Sequence, residues 1–157
     1  MISTGKKIPT DFELSVVVNG EEKQIKFNEL LNRPTVVSVY MKNNTGSCDK
    51  QNQSLAEFAS KFDEKGYNII AISKDSCNSH KKYADKLNIN YILASDPELT
   101  FSKATDSIVE KKMYGRTYEG PSRSAFILSE DGTVLDIIEK IDPKNHGPEL
   151  LEAIEKL

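Results

Sequence analysis

The chain has 157 residues, with 21 Lys+Arg against 24 Asp+Glu for a net charge of −3, two cysteines, 38% hydrophobic and 29% charged residues. One globular domain spanning residues 1–157 accommodates that length, and burial at this size needs no disulfide or metal to hold the fold. The near-balanced charge argues against a nucleic-acid or anionic-membrane binder. Two distant cysteines do not make a disulfide-dense secreted scaffold. Residues 1–10 lack the apolar stretch of a secretory signal, and no apolar run approaches a membrane span. The expectation is a soluble, cytoplasmic protein.

In chain order, Asn19-Gly20 is a hairpin signal between a strand over Phe12 to Val18 and another over Lys23 to Phe27. Asn28 reads as the cap of a short helix, Glu29 to Asn32. Thr35 to Met41 is β-branched and almost continuously apolar, which predicts a central strand. A polar turn, Lys42 to Ser47, follows. Leu55, Phe58, Ala59 and Phe62 then recur at i, i+3, i+4, i+7, one stripe of an amphipathic helix that Gly66 ends. Asn68 to Ser73 is a second buried strand, followed by a helix carrying Tyr83, Ala84 and Leu87. Tyr91 to Ala94 reads as a third strand, and Asp96-Pro97 as the opening of another short helix. Arg123 to Leu128 and Thr133 to Ile138 form a hairpin across Asp131-Gly132, and Pro148 to Leu157 closes the chain as a helix.

A β-hairpin, then β-α-β-α-β, then a hairpin and a helix implies an α/β class. Its central mixed sheet is flanked by helices, because strand-helix-strand units wind right-handedly into a parallel core. The order resembles a thioredoxin-like fold with an added N-terminal β-hairpin.

Cys48 sits where the first central strand hands over to its helix, at the sheet edge where open α/β folds place their ligands. The free amides and macrodipole of a helix start favour an anion there, which makes Cys48 a candidate nucleophilic thiolate. In Thr45-Gly46-Ser47-Cys48 a threonine stands where a dithiol oxidoreductase would carry its second cysteine, so disulfide exchange within this motif is excluded. Elsewhere, Cys77-x-x-His80 is half of a zinc motif with no second ligand pair, so no metal is expected. No cofactor loop is visible. His146, before Gly147-Pro148, reads as a surface residue. Lys81-Lys82 and Lys111-Lys112 read as solvated faces.

Across nearly the whole chain the residues resemble the peroxiredoxins, specifically the bacterioferritin comigratory protein (PrxQ) group. The likeness lies in Pro9 to Leu14, in the Thr-x-x-Cys loop ending at Cys48, in Ser73 to Ala84, and above all in Glu110 to Leu128. It implies a thiol peroxidase that reduces hydrogen peroxide and organic hydroperoxides, recycled by thioredoxin or a similar dithiol, as a monomer or weak dimer without nucleic-acid or membrane partners. Carried over, Cys48 is the peroxidatic cysteine, Thr45 its hydroxyl partner and Arg123 the active-site arginine.

Two positions depart from the pattern of the family. Met41 stands where it has a pocket-shielding proline, seven residues before Cys48, and Ser47 replaces a proline or glycine. On Met41 rests the rival reading, a thioredoxin-like redox sensor or binding module with weakened or no peroxidase activity. Resolution of the oxidised cysteine stays open. Gln53 occupies the resolving position five residues on, Ala84 occupies another, and no cysteine follows Cys77. Cys77, two helical turns before Ala84, is the candidate resolving cysteine; one-cysteine chemistry and a silent Cys77 are the alternatives.

Overall fold

The computed structural model describes residues Met1–Leu157. The elements are β1 (Glu13–Val18), β2 (Glu21–Lys26), α1 (Phe27–Leu30), β3 (Thr35–Val39), α2 (Gly46–Glu64), β4 (Asn68–Ser73), α3 (Cys77–Leu87) and β5 (Ile92–Ser95). Then come α4 (Thr100–Ala104), β6 (Ile108–Met113), β7 (Arg116–Pro121), β8 (Ala125–Leu128), β9 (Val134–Ile138), a 3-10 turn (Pro143–Asn145) and α5 (His146–Glu155). One mixed seven-stranded sheet runs β2-β1-β5-β4-β3-β8-β9, and β6 and β7 form a separate hairpin. Its centre, β3-β4-β5, is parallel, with antiparallel β1-β2 added on one side and β8-β9 on the other. The expected mixed sheet flanked by helices, with its added N-terminal hairpin, is the observed one.

All five residues of β3 are buried, as its continuous apolar run requires of a strand covered on both faces. Alternate side chains feed opposite cores. Val36, Ala71, Leu93 and Ile127 pack with Leu55 and Phe62 of α2, Tyr83 of α3, and Leu150 and Ile154 of α5. Val37, Val39, Ile70 and Ile72 pack on the other face with Phe27 and Leu30 of α1 and Phe101 of α4. Gly66, with φ +83°, stands just past the Lys65 C-cap of α2, as expected of a glycine ending a helix.

Several boundaries move for tertiary reasons. α1 starts at Phe27, and Asn28 lies inside it rather than capping it; Phe27 is drawn in by burial and by stacking on Phe12, ring centroids 4.9 Å apart. β3 ends at Val39, before Tyr40 and Met41. β5 begins at Ile92 and β8 at Ala125, each later than the apolar run suggests. α4 begins at Thr100, although the Asp96 carboxylate does serve it, accepting the amides of Thr100 (2.8 Å) and Phe101 (2.9 Å). The β6-β7 hairpin was not expected. Its strands are mostly polar and exposed, so period-2 apolar alternation is missing, and its turn is Tyr114-Gly115, both at positive φ, in place of Asn-Gly.

His146 corrects the surface reading. It is fully buried, with Nε2 2.8 Å from Ser38 Oγ on β3 and Nδ1 2.7 Å from a Glu149 carboxylate oxygen. The start of α5 is pressed onto α2 because residue 147 has no side chain: the Gly147 amide donates to Ser54 Oγ at 2.8 Å. A Cβ there would lie 2.6 Å from Phe58 Cδ2 and 2.8 Å from the Ser54 carbonyl oxygen. Gly147→Ala is therefore expected to destabilise the fold by about 1–3 kcal/mol through overpacking. The measurement is urea denaturation, in which the midpoint should fall while the slope with denaturant stays unchanged.

Candidate active site

β3 hands the chain through Tyr40 and Met41 into the loop 42–45, and α2 begins at Gly46. That loop is braced from below. The Asn43 amide donates to Asp75 Oδ2 (3.0 Å), Tyr40 donates its hydroxyl proton to Asn43 Oδ1 (2.6 Å), and Asn43 Nδ2 donates to Ser79 Oγ (3.0 Å) and His80 Nδ1 (3.1 Å). His80 Nε2 in turn donates to the Ala94 carbonyl at 3.0 Å. This network assigns His80 its Nε2–H tautomer, neutral and fully buried. Both ring nitrogens are thereby engaged within the protein, and no cluster of three or more His, Cys, Asp or Glu side chains able to hold a metal ion occurs. Burial, opposed by the Ala94 carbonyl and Asp75, holds His80 below its ordinary value, and burial raises the Tyr40 phenol far above its own.

Cys48 is the third residue of α2, in the turn whose first amides have no intrahelical partner. It is 1% exposed. Arg123, in the two-residue approach to β8, forks across it: Nη2 donates to Cys48 Sγ at 3.2 Å and Nη1 to Ser47 Oγ at 2.9 Å. A fixed guanidinium and the positive end of a helix both face one sulfur, so donors converge where negative charge would develop on a bound oxygen.

The same end of α2 is tied sideways to α3 and to Tyr91, just before β5. Tyr83 donates its hydroxyl proton to Asp49 Oδ1 (2.8 Å), and Asn52 Nδ2 donates to the Cys48 carbonyl (3.1 Å) and to Tyr83 (3.3 Å). The Tyr91 hydroxyl donates toward Asn52 Oδ1 (2.9 Å) and the Asn52 carbonyl (3.1 Å). Burial, reinforced by the neighbouring Asp49 carboxylate, pushes the Tyr83 phenol well above its usual value. None of these residues was singled out in the sequence as part of the site; a polar run on a helix flank carries no signal of its partner on another helix.

Thr45 does not make the bond expected of it. Its hydroxyl donates to the Lys42 carbonyl at 2.8 Å, closing the turn rather than reaching the sulfur. Met41 is half-buried against the core that contains Cys48. The solvated reading of Lys111 is corrected too: it is half-buried and its Nζ contacts Met41 Sδ.

Cys77 is the first residue of α3, 7% exposed, and both cysteines are free thiols. α3 turns Ser79, His80, Tyr83 and Lys86 toward the α2 start and its loop, the Lys86 ammonium donating to Asn44 Oδ1 at 2.8 Å. Cys77 lies on another flank of that helix, in register with Ala84 by helical geometry. Burial and then Glu22 on β2 raise its thiol, and Lys81 opposes them.

The sequence matches the model of the AhpC/TSA family over residues 4–137. Peroxiredoxin Bcp of Xanthomonas campestris pv. campestris is 32% identical over 119 residues, spanning 76% of this chain and 74% of that protein. Peroxiredoxin Bcp of Bacillus subtilis is 28% identical over 156 residues, 99% of this chain and 97% of the relative. A solved structure of the Xanthomonas campestris bacterioferritin comigratory protein, from work on its alkyl peroxide reduction activity, superposes with a TM-score of 0.87 at 27% identity, covering 98% of both chains. No helix is long and apolar enough to cross a membrane.

The buried histidines set an acid limit. The proton affinities of His80 and His146 are lowered by burial, so the unfolded chain takes up protons first as pH falls below the ordinary 6.5. The stability these residues confer is complete above that pH and is lost as pH drops through their depressed folded values. Urea denaturation between pH 8 and 5 should show this decline, and His80→Gln should remove part of it; a pH-independent midpoint contradicts the assignment of two buried neutral imidazoles.

Proposed function

The chain belongs to the AhpC/TSA family and is a peroxiredoxin, a thiol peroxidase with a peroxide substrate and a thiol reductant, and from that premise we propose which of its residues carry the chemistry. Cys48 is the peroxidatic cysteine. The observation that carries this assignment is the Arg123 guanidinium 3.2 Å from its sulfur at the start of α2. The thiolate attacks the terminal oxygen of the peroxide in line, sulfur is oxidised to sulfenic acid, and negative charge moves onto the departing oxygen. Arg123 holds the sulfur in place beforehand and, with the free amides of the first turn, stabilises the charge that develops. The Thr45 hydroxyl donates its hydrogen bond to the Lys42 carbonyl, so the lone pairs of its oxygen are left to accept from and orient the incoming O–H.

Hydrogen peroxide and organic hydroperoxides are the substrates, and thioredoxin or a similar small dithiol is the reductant, in a reducing compartment. Residues 1–157 act as one domain. Cys77 is the resolving residue: its thiol displaces the sulfenic hydroxyl as water and leaves a Cys48–Cys77 disulfide, which the external dithiol reduces. The support is topological. β3 and β4 are parallel neighbours, so the helices that follow them both start at one sheet edge, with a cysteine in each first turn. The Cα atoms must come to about 6 Å, so the first turns of α2 must open, breaking the ties from Tyr83 and Asn52.

Peroxide turnover with thioredoxin and its reductase tests the set. Cys48→Ser should abolish turnover, and Arg123→Met should slow Cys48 oxidation by roughly 10²–10³-fold, the usual effect of losing a donor to developing charge. Cys77→Ser should still oxidise at Cys48 in a single turnover yet fail to cycle with thioredoxin. Non-reducing mass spectrometry of the oxidised wild type should show the 48–77 crosslink; its absence overturns Cys77 as resolver and leaves one-cysteine chemistry.

A further inference from the structure

Lys111 is the only charged residue of the β6-β7 hairpin that is not exposed. Its position is built. The aliphatic stem lies across Gly120 of β7, where a Cβ would stand 3.4 Å from Lys111 Cδ and 3.5 Å from the Tyr118 ring; Tyr118 is the cross-strand partner of Lys111. A glycine inside a strand marks such a close approach. The ammonium at the end of that stem rests on Met41 Sδ, and Met41 packs on the core that contains Cys48. No carboxylate pairs with Lys111. A half-buried, unpaired cation facing an apolar thioether carries a desolvation cost that a purely structural lysine would relieve by turning outward.

The reaction leaves one task unassigned, since an oxygen that departs as hydroxide or alkoxide needs a proton. Arg123 supplies charge but does not give up a proton under protein conditions. The Thr45 hydroxyl is committed as a donor to the Lys42 carbonyl, and the Tyr40 and Tyr83 phenols are committed to Asn43 and Asp49 and made weaker acids by burial. A lysine changes protonation readily when desolvated. Lys111 is in that condition: burial and then Arg123 lower its proton affinity, while Cys48 raises it.

We propose that Lys111 is a further catalytic residue, the general acid that protonates the oxygen leaving the peroxide. This rests on Cys48 being the nucleophile. Written out, the Cys48 thiolate, the hydroperoxide and the Lys111 ammonium become the Cys48 sulfenic acid, an alcohol or water, and a neutral Lys111 amine. Sulfur loses two electrons to the cleaved O–O bond, and the amine regains its proton from solvent at the exposed rim of the hairpin.

Leaving-group dependence separates acid catalysis from a structural or purely electrostatic role. The test is single-turnover oxidation of Cys48, followed by quenched thiol labelling and mass spectrometry, with tert-butyl hydroperoxide and with peracetic acid. The first expels a strongly basic alkoxide that needs a proton, the second a weakly basic acetate that does not. Lys111→Met should slow the alkyl hydroperoxide by roughly 10²-fold, the low end of general acid catalysis, and leave the peracid within a few-fold, which also shows that the variant is folded. Lys111→Arg, which keeps the charge without a transferable proton, should behave like Lys111→Met. Equal slowing of both peroxides, no slowing of either, or an arginine variant matching wild type each overturn the proposal. A wild type whose Cys48 reacts with neither peroxide faster than free cysteine overturns the nucleophile assignment, and the acid role with it.

Discussion

The contact between Arg123 and Cys48 depends on β3 and β8 lying side by side in opposite directions. Their register pairs Ser38 with Ala125, so the residues leaving β3 and those arriving at β8 meet at one sheet edge. The loop from β3 runs into α2 and delivers Cys48 within three residues; the approach to β8 delivers Arg123 two residues before the strand. A bond spanning 75 residues of chain thus follows from strand pairing alone. The same edge receives α3 because β4 is parallel to β3, and so holds Cys77 as well. The hairpin β6-β7, inserted just before Arg123, adds Lys111 and Met41's cover from a third direction.

Around that contact the protein spends polar groups on rigidity. The Tyr40–Asn43–His80 chain fixes the loop from beneath, and the Tyr83–Asp49 and Asn52–Cys48 bonds fix the first turns of α2 from the side. Buried hydrogen bonds of this kind have a small net worth when all are made and a large cost when one is left open. They hold the Cys48 thiol in one geometry and, by the same bonds, resist the opening of the first turns of α2 that a disulfide to Cys77 would demand. Under the proposed roles of Cys48 and Cys77, attack and resolution pull on the same few side chains, with Tyr83 and Asn52 at the junction. On the opposite side of α2, Ser38, Gln51 and His146 anchor the helix to β3 and α5, so its later turns stay packed if its first turns move.

What could be read in advance was local. The β-branched runs of β3 and β4, the stripe Leu55-Phe58-Ala59-Phe62 and the turns Asn19-Gly20 and Asp131-Gly132 each carry a period or a dihedral preference within a short window. The helix-start position of Cys48 was legible for the same reason. The failures were those in which a distant neighbour decides. Phe27 joined α1 because Phe12 and Phe101 cover it. His146 is buried because Gly147 lets α5 close onto α2, a signal present in the sequence only as a small residue beside a histidine. Lys111 sits in a basic pair that looks solvated until Gly120 is placed opposite its stem, and Thr45 gave no sign that its hydroxyl would turn to Lys42.

The sequence by itself determined the strands of the main sheet, the mixed α/β class and the place of Cys48 at a helix start, because these depend on spacing, side-chain branching and backbone preference over a few residues. Only the tertiary structure decided which groups face the sulfur: that Arg123 touches it, that Lys111 leans inward, that Thr45 is engaged elsewhere, and that Cys77 occupies a different flank of α3 from the residues holding the loop. Those are outcomes of strand pairing and helix packing, in which the partner of each side chain lies tens of residues away and is chosen by burial and unpaired polar groups rather than by any local pattern.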